Sequence, residues 1–110
     1  DTRTLPELLI ERHDILIERI GTRLKTHATE TDIARLFIAL VEYRFMRKCP
    51  IKTFRNALHE QFNEQEIVHE RGIQKAYRNL ISPLGNSKKL VKDIGEDHEA
   101  IEELKAYLSN

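Results

Sequence analysis

Apolar residues recur at intervals of three and four along most of the chain, and this spacing constrains the fold more than any other feature. The strongest segment is "DIARLFIALVEYRFM", residues 32–46. Its apolar face is formed by Ile33, Leu36, Phe37, Leu40, Val41 and Phe45. Alternation with a period of two, as in a half-buried strand, does not run for a strand's length anywhere in the sequence. The pattern predicts an all-α fold with this helix at its centre.

Capping residues mark the starts of the first two helices. Thr4, Pro6 and Glu7 are typical of a helix start, and the apolar stripe that follows predicts one long helix ending near Lys25. The stretch "TETD" that begins at Thr29 repeats this capping pattern before the central helix. We expect the central helix to end at "RKCP", because the residue before a proline is disfavoured in the helical conformation.

Helical spacing continues through the second half of the chain. The predicted segments are, in order, a helix over 51–62, a short turn of helix at 67–68, a helix over 73–81 and a final helix from 86 or 87 to 108. Gly72 is expected to interrupt the chain between the short turn and the helix that begins at residue 73, and Gly95 offers a bend in the last helix. The prediction is a compact all-α bundle of five to six helices with a helix-turn-helix-like core.

Length and composition indicate one domain. The chain has 110 residues, of which 40% are hydrophobic, enough for a self-standing core. Its start without Met suggests a fragment of a longer protein, although a processed chain would look the same. Cys49 is the only cysteine, which favours a reducing, cytoplasmic setting. No apolar run approaches the roughly 18 residues that cross a bilayer, so no membrane partner is expected.

Residue patterns for catalysis or metal binding are lacking. Five histidines are present, but none forms an HExxH motif or a repeated ExxH pair, and His59 and His69 are ten residues apart. There is no Gly-rich phosphate loop and no G-x-S-x-G sequence. Basic neighbours could lower the pKa of Cys49, although a half-buried small residue at a turn is the favoured interpretation. We therefore expect no enzyme activity, no metal and no cofactor.

Charge is segregated along the sequence although the formal net charge is zero. Residues 43–59 contain five basic side chains and no acid, and residues 71–92 contain six basic side chains and no acid. Four acids lie between these blocks, and six more lie in residues 93–103. Segregation of this kind can build one basic face, from residues 44–55 and 71–92, on a neutral domain.

The basic blocks lie on two consecutive predicted helices, in the order of a helix-turn-helix whose second helix reads double-stranded DNA. Its polar residues suit base edges, since Arg and Lys pair with guanine and Asn and Gln with adenine. The candidate base contacts are Gln74, Lys75, Arg78 and Asn79. The candidate phosphate contacts are Arg47, Lys52, Arg55, Lys88, Lys89 and Lys92. The same residue types also cover any solvated helix face, and the link between the two helices is acidic and long for a tight turn.

A protein-interaction or dimerisation module without nucleic-acid contact is the alternative. In the last predicted helix, apolar residues follow a spacing close to a short heptad pattern. They are Leu90, Ile94, Ile101, Leu104 and Leu108. This stripe either packs on a second copy or a partner protein, or packs inside its own chain.

The stretches "DIARLFIALVEYRFM", "IKTFRNALHEQFN" and "GIQKAYRNLISP" resemble the C-terminal part of RteC-type regulators, helical proteins of Bacteroidetes mobile elements. Leu36, Ala39 and Leu40 match that family's first helix, and Phe54 and Phe62 match its aromatic-rich helix. The resemblance covers about two thirds of the chain, and the acidic link and acidic C-terminal helix depart from it. It implies a bacterial transcriptional regulator with a winged-helix or helix-turn-helix-like domain that binds DNA upstream of an operon.

Overall fold

Six helices make up the part of the chain that the computed structural model describes, residues 1–81 and 96–109. They are α1 (Leu5–Leu8), α2 (His13–Leu24), α3 (Glu30–Glu42), α4 (Ile51–Gln61), α5 (Glu70–Ile81) and α6 (Glu96–Ser109). No strand occurs within these ranges, where the only extended pairing is an isolated antiparallel bridge between Leu9 and Met46. The predicted all-α bundle is confirmed.

The third helix is the centre of the bundle, as its apolar sequence predicts. Seven of its residues are buried, among them Ile33, Phe37 and Leu40. Helices α5 and α6 both pack against it, α4 packs on α1 and α5, and α2 packs on α1 and α6. Phe37 lies between Phe54 of α4 and Tyr77 of α5, with ring centroids 5.4 and 5.7 Å away. This aromatic junction fixes how α4 and α5 sit on the core.

Both predicted helix starts form the expected capping bonds. The backbone N–H of Thr4 donates to Glu7 Oε1 at 2.9 Å, and this bond holds the pKa of that carboxyl below its usual value. The Thr29 N–H donates to Asp32 Oδ2 at 3.2 Å, while the Asp32 N–H donates to Thr29 Oγ1 at 3.1 Å. Reciprocal bonds of this kind satisfy N–H groups that the first turn leaves without a helical partner.

The prediction of one long helix from residue 5 to residue 25 is wrong. A break separates α1 from α2, and Arg12 at the break has a left-handed backbone with φ 58°. Beside the break, Ile10 N donates to Phe45 O at 3.1 Å and Arg47 N donates to Leu8 O at 2.8 Å. These bonds to the loop after α3 replace helical ones, so pairing with a distant segment overrides the local helical pattern.

The end of α3 also differs from the expectation. The helix ends at Glu42, before the "RKCP" sequence, in a Schellman motif. Phe45 N donates to Leu40 O at 2.9 Å and Arg44 N donates to Val41 O at 3.2 Å, with Arg44 in the left-handed region at φ 61°. The backbone therefore stops the helix through its own hydrogen bonds, ahead of any effect of the proline.

The segment before α5 also differs from the prediction. Residues 67–68 are not helical, and α5 begins at Glu70 and runs through Gly72 without interruption. A Cβ at Gly72 would overlap the carboxylate of Glu30, so this glycine allows the first turn of α5 to approach the first turn of α3. Gly72 is thus a close-packing position rather than a helix breaker.

The last helix is described from Glu96 onward. The predicted start at residue 86 or 87 and the bend at Gly95 lie outside the described residues. Within α6, Ile101, Leu104 and Leu108 are buried against the chain's own core. The described part of the apolar stripe considered for dimerisation is therefore used inside the fold, while Leu90 and Ile94 lie outside the described residues.

Candidate nucleic-acid interface

The charged residues that α5 exposes fully are all basic. This helix buries Ile73 and Leu80 and turns the half-buried Tyr77 toward Phe37. On the opposite side, Arg71, Lys75 and Arg78 are exposed at intervals of four and three. Residues with this spacing line up along one face of a helix. We call these three residues the α5 basic stripe.

The three side chains of the α5 basic stripe make no hydrogen bond or ion pair within residues 1–81 and 96–109. The described ion pairs join Arg3 with Asp1 and Arg23 with Glu103, and neither involves α5. The positive charges of α5 are therefore not neutralised by the described carboxylates at contact distance. They are available to an external anion.

The start of α5 is capped in a way that the sequence did not indicate. The ring nitrogen Nδ1 of His69 accepts a hydrogen bond from the Arg71 N–H at 3.1 Å. Histidine is not a preferred residue at this position, so no sequence signal marks it. Glu70 lies in the first turn, where a carboxylate is favoured by the positive end of the helix dipole.

The four predicted base contacts do not share one environment. Lys75, Arg78 and Asn79 are exposed, whereas Gln74 is half-buried. Lys75 and Asn79 also line an open groove of about 400 Å³ against the start of α3. Arg71 was not among the predicted site residues, although its place in the second basic block and its spacing of four from Lys75 are visible in the sequence.

The predicted phosphate contacts divide into three groups. Arg47 and Lys52 are exposed at the start of the α4 region. Arg55 is half-buried: its Nε donates to Val68 O at 3.2 Å and its Nη2 to Ile67 O at 3.0 Å. Its guanidinium ties α4 to the link before α5. The third group lies outside the described residues and consists of Lys88, Lys89 and Lys92.

Other kinds of site find little support in the described part of the chain. No group of three or more His, Cys, Asp or Glu side chains there is arranged to hold a metal ion. Cys49 is buried, and burial raises the pKa of its thiol despite the opposing charge of Arg3. The nearby basic residues therefore do not activate this cysteine.

An open groove of about 800 Å³ lies between α2 and the segment after α4. Gly21 forms part of its floor, and a Cβ there would come within 2.7 Å of the Phe62 ring. A glycine at position 21 of α2 therefore allows the Phe62 ring to approach the helix closely. The lining mixes apolar, neutral polar and charged side chains of both signs, which favours no one ligand class. None of the described helices combines the length and apolar character needed to span a bilayer.

No curated protein and no solved structure matches the chain significantly. Along residues 1–110 the sequence matches a protein family described as a family of unknown function, DUF6043. Because the match covers every residue, the chain belongs to the DUF6043 family.

Proposed function

We propose that this protein binds double-stranded DNA through the exposed face of α5, as the DNA-binding or regulatory domain of a transcriptional regulator. The observation that carries the proposal is the α5 basic stripe, three cations on one helix face without an acidic partner in the described residues. Phosphate groups supply the complementary charge, and an α-helix fits the major groove of B-DNA.

In this mechanism α5 lies along the DNA with its core side held by α3 and α4. Arg71 contacts phosphate, while Lys75, Arg78 and Asn79 reach base edges, and Gln74 contributes from the flank. Arg47 and Lys52 contact the phosphate backbone of the DNA, as do the other three predicted phosphate contacts, Lys88, Lys89 and Lys92. Arg55 has a different role, since it positions the link that leads into α5.

The order of α4 and α5 supports the same proposal. They are consecutive helices that pack on each other, with the basic helix second, as in helix-turn-helix proteins. The eight-residue link Phe62–His69 is longer than a tight turn. The resemblance to RteC-type regulators adds transcriptional control as the biological setting.

The test is fluorescence anisotropy with a mixed pool of labelled duplexes, starting at about 50 mM salt, where phosphate contacts are strong. We expect binding that weakens steeply with salt. The logarithm of the binding constant falls linearly with the logarithm of the salt concentration. In the double variant Lys75→Gln, Arg78→Gln this slope should become shallower by about 0.9 for each phosphate that is no longer neutralised. The matched control is Lys25→Gln, Lys105→Gln, which removes the same charge from exposed positions on α2's end and α6. Absence of binding at low salt, or an equal effect in both variants, contradicts the proposal.

The dimerisation alternative has a separate readout. Of the side chains that would form its seam, Ile101, Leu104 and Leu108 are at most 3% exposed in the single chain, and Leu90 and Ile94 lie outside the described residues. Sedimentation at increasing concentration is therefore expected to show a monomer. Association that is abolished when Ile101 is replaced by a charged residue, in a variant that stays folded, would favour the alternative.

A further inference from the structure

The groove of about 400 Å³ between α5 and the start of α3 continues the surface of the α5 basic stripe. Its α5 wall carries Lys75 and Asn79, which are four residues apart and both exposed. Its α3 wall carries Thr31 and Arg35, which are also four residues apart. Residues with this spacing lie on one face of a helix, so each wall holds a pair of hydrogen-bond donors. Lys75 belongs to both the stripe and the groove.

The charged groups of the groove are two cations and one acid. Lys75 and Arg35 lie on opposite walls. Glu30 lies next to Gly72, where its carboxylate fills the space that a Cβ would take. Thr31 is exposed and adds a neutral hydroxyl. The groove therefore carries an excess of one positive charge, with a cation on each helix.

Arg35 lies at the far edge of this surface. Its side chain also lines a smaller groove of about 210 Å³ toward α6, where Asp32 and Glu103 accompany Arg23 and His27. A guanidinium has five N–H donors, so Arg35 can keep a contact within the fold and still donate to an external group. Charge on the α6 side is mixed, so the basic surface that begins on α5 ends at Arg35.

The packing of α3 beside α5 suits the dimensions of a double helix. In the proposed function α5 lies in the major groove, which is about 12 Å wide and is bordered by the phosphate backbones. The axes of two packed helices are about 8–10 Å apart, so a neighbour of α5 lies over a backbone rather than in the groove. The first turn of α3 reaches the surface there, since Glu30 and Thr31 are exposed whereas Ile33 and Ala34 are buried.

We propose that the groove between α3 and α5 receives a phosphate of the DNA backbone, which Thr31 and Arg35 bind from the α3 wall. The inference rests on the proposed function, and it extends the contact surface from α5 to the start of α3. Phosphate contacts fix the orientation of a protein on the duplex, so these two residues add affinity without base preference. Glu30 lies in the same groove and repels the phosphate, so it weakens binding.

A groove that serves only the fold makes a different prediction for Glu30. A carboxylate in the first turn of a helix is favoured by the helix dipole, so removing it should lower Tm slightly. If the groove receives a phosphate, the same change also strengthens DNA binding. Stability and binding then move in opposite directions, which a loss of folded protein does not produce.

The first experiment compares Glu30→Gln with Glu99→Gln in anisotropy titrations against the mixed duplex pool. Both variants remove one exposed carboxylate, the first from α3 and the second from α6. At about 50 mM salt we expect Glu30→Gln to bind about fivefold more tightly, the effect of one charge contact in water. Glu99→Gln should bind within about twofold of the original chain, because salt screens distant charges.

A second pair of variants adds a charge. Thr31→Glu places a carboxylate on the α3 wall, and Thr22→Glu places one at an exposed position of α2. A glutamate in the first turn of a helix is favourable, so Thr31→Glu should fold with no loss of Tm. We expect it to bind about fivefold more weakly than Thr22→Glu. Arg35→Gln should make the slope of the log binding constant against log salt concentration shallower by about 1.

The assignment is overturned if Glu30→Gln binds no more tightly than Glu99→Gln, or if Thr31→Glu binds as tightly as Thr22→Glu. If either result occurs while Lys75→Gln, Arg78→Gln still weakens binding, the role of the groove fails and the proposed function stands. If the original chain binds no duplex, the proposed function itself fails.

Discussion

Helices α5 and α6 both pack on the central α3, yet they present opposite charge to solvent. Arg71, Lys75 and Arg78 are exposed on α5, whereas α6 exposes Glu99, Glu102 and Glu103. The apolar sides are alike, because each helix buries isoleucine and leucine against the core. The zero net charge of the whole chain therefore conceals a basic helix and an acidic one on the same scaffold.

The two helices also differ in how their polar groups are used. Side-chain hydrogen bonds hold α6 to the rest of the fold. Arg19 Nη1 of α2 donates to Tyr107 O at 2.7 Å, and the Tyr107 hydroxyl donates back to Arg19 O at 2.8 Å. The Tyr43 hydroxyl donates to Glu102 Oε1 at 2.8 Å. The cations of α5 make no such contacts among the described residues. Polar groups that hold α6 serve the fold, while the exposed cations of α5 make no hydrogen bond or ion pair with the described residues.

The largest expected effect concerns the apolar sides, where the two helices should behave alike. Ile73 of α5 and Ile101 of α6 are both fully buried at 0% exposure. Replacing either with Ala should lower the free energy of unfolding by about 2–5 kcal/mol, since each leaves a cavity. Urea unfolding measures this. A cost below about 1 kcal/mol at Ile101 would show that α6 is not part of the core.

The next effect separates the helices by their polar contacts. Arg19→Met keeps much of the side-chain packing but removes the donor to Tyr107 O and the guanidinium 5.9 Å from the Tyr107 ring centroid. We expect the free energy of unfolding to fall by about 1.5–3 kcal/mol, as for a hydrogen bond made by a charged group. The matched Arg78→Met on α5 should stay within about 0.5 kcal/mol of the original chain. If urea unfolding gives the same loss of free energy for both variants, the two helices do not differ in how their arginines contribute to stability.

A smaller effect, confined to alkaline pH, follows from the Tyr43 contact to α6. Burial and then the hydrogen bond to Glu102 raise the pKa of Tyr43 from 10.0 to about 12. The unfolded chain loses this proton first, so the stabilising contribution is complete below pH 10 and declines as the pH rises toward about 12.

Unfolding free energies across that pH range, with Tyr43→Phe as the control, measure the contribution. The difference between the original chain and the variant should shrink as the hydroxyl ionises. A difference that is constant with pH means that Tyr43 ionises equally easily in the folded and unfolded chains.

The smallest effect is expected where α5 approaches α3. Gly72→Ala places a Cβ at the Glu30 carboxylate, but that side chain is exposed and flexible and can move away. Alanine also favours a helix over glycine, so the free energy of unfolding should change by less than about 1 kcal/mol. The double variant with Glu30→Ala is the control. A large destabilisation that this second change relieves would show that the carboxylate is held in place.

Sequence reasoning was sound where the cause was local. The capping bonds at Thr4 and Thr29, the central position of α3 and the extent of α4 all follow from spacing and residue type within a few positions. It failed at Arg12 and Gly72, because contacts with distant segments decide the backbone there. The predicted DNA contacts show the same limit. The Arg55 side chain donates a hydrogen bond to the link before α5, and Arg71, which was not predicted as a contact, is exposed.

By itself, the sequence determined that the chain is helical, where most of its helices lie and that its charges fall into separate blocks. Helical periodicity and charge blocks depend only on neighbouring residues, so they are readable before folding. Only the tertiary structure decided where helices break, which partner covers the apolar stripe of α6, and which arginines are engaged inside the fold. Those outcomes depend on hydrogen bonds and packing between residues far apart in the chain, such as Arg12 with Ser109 and Arg55 with Ile67.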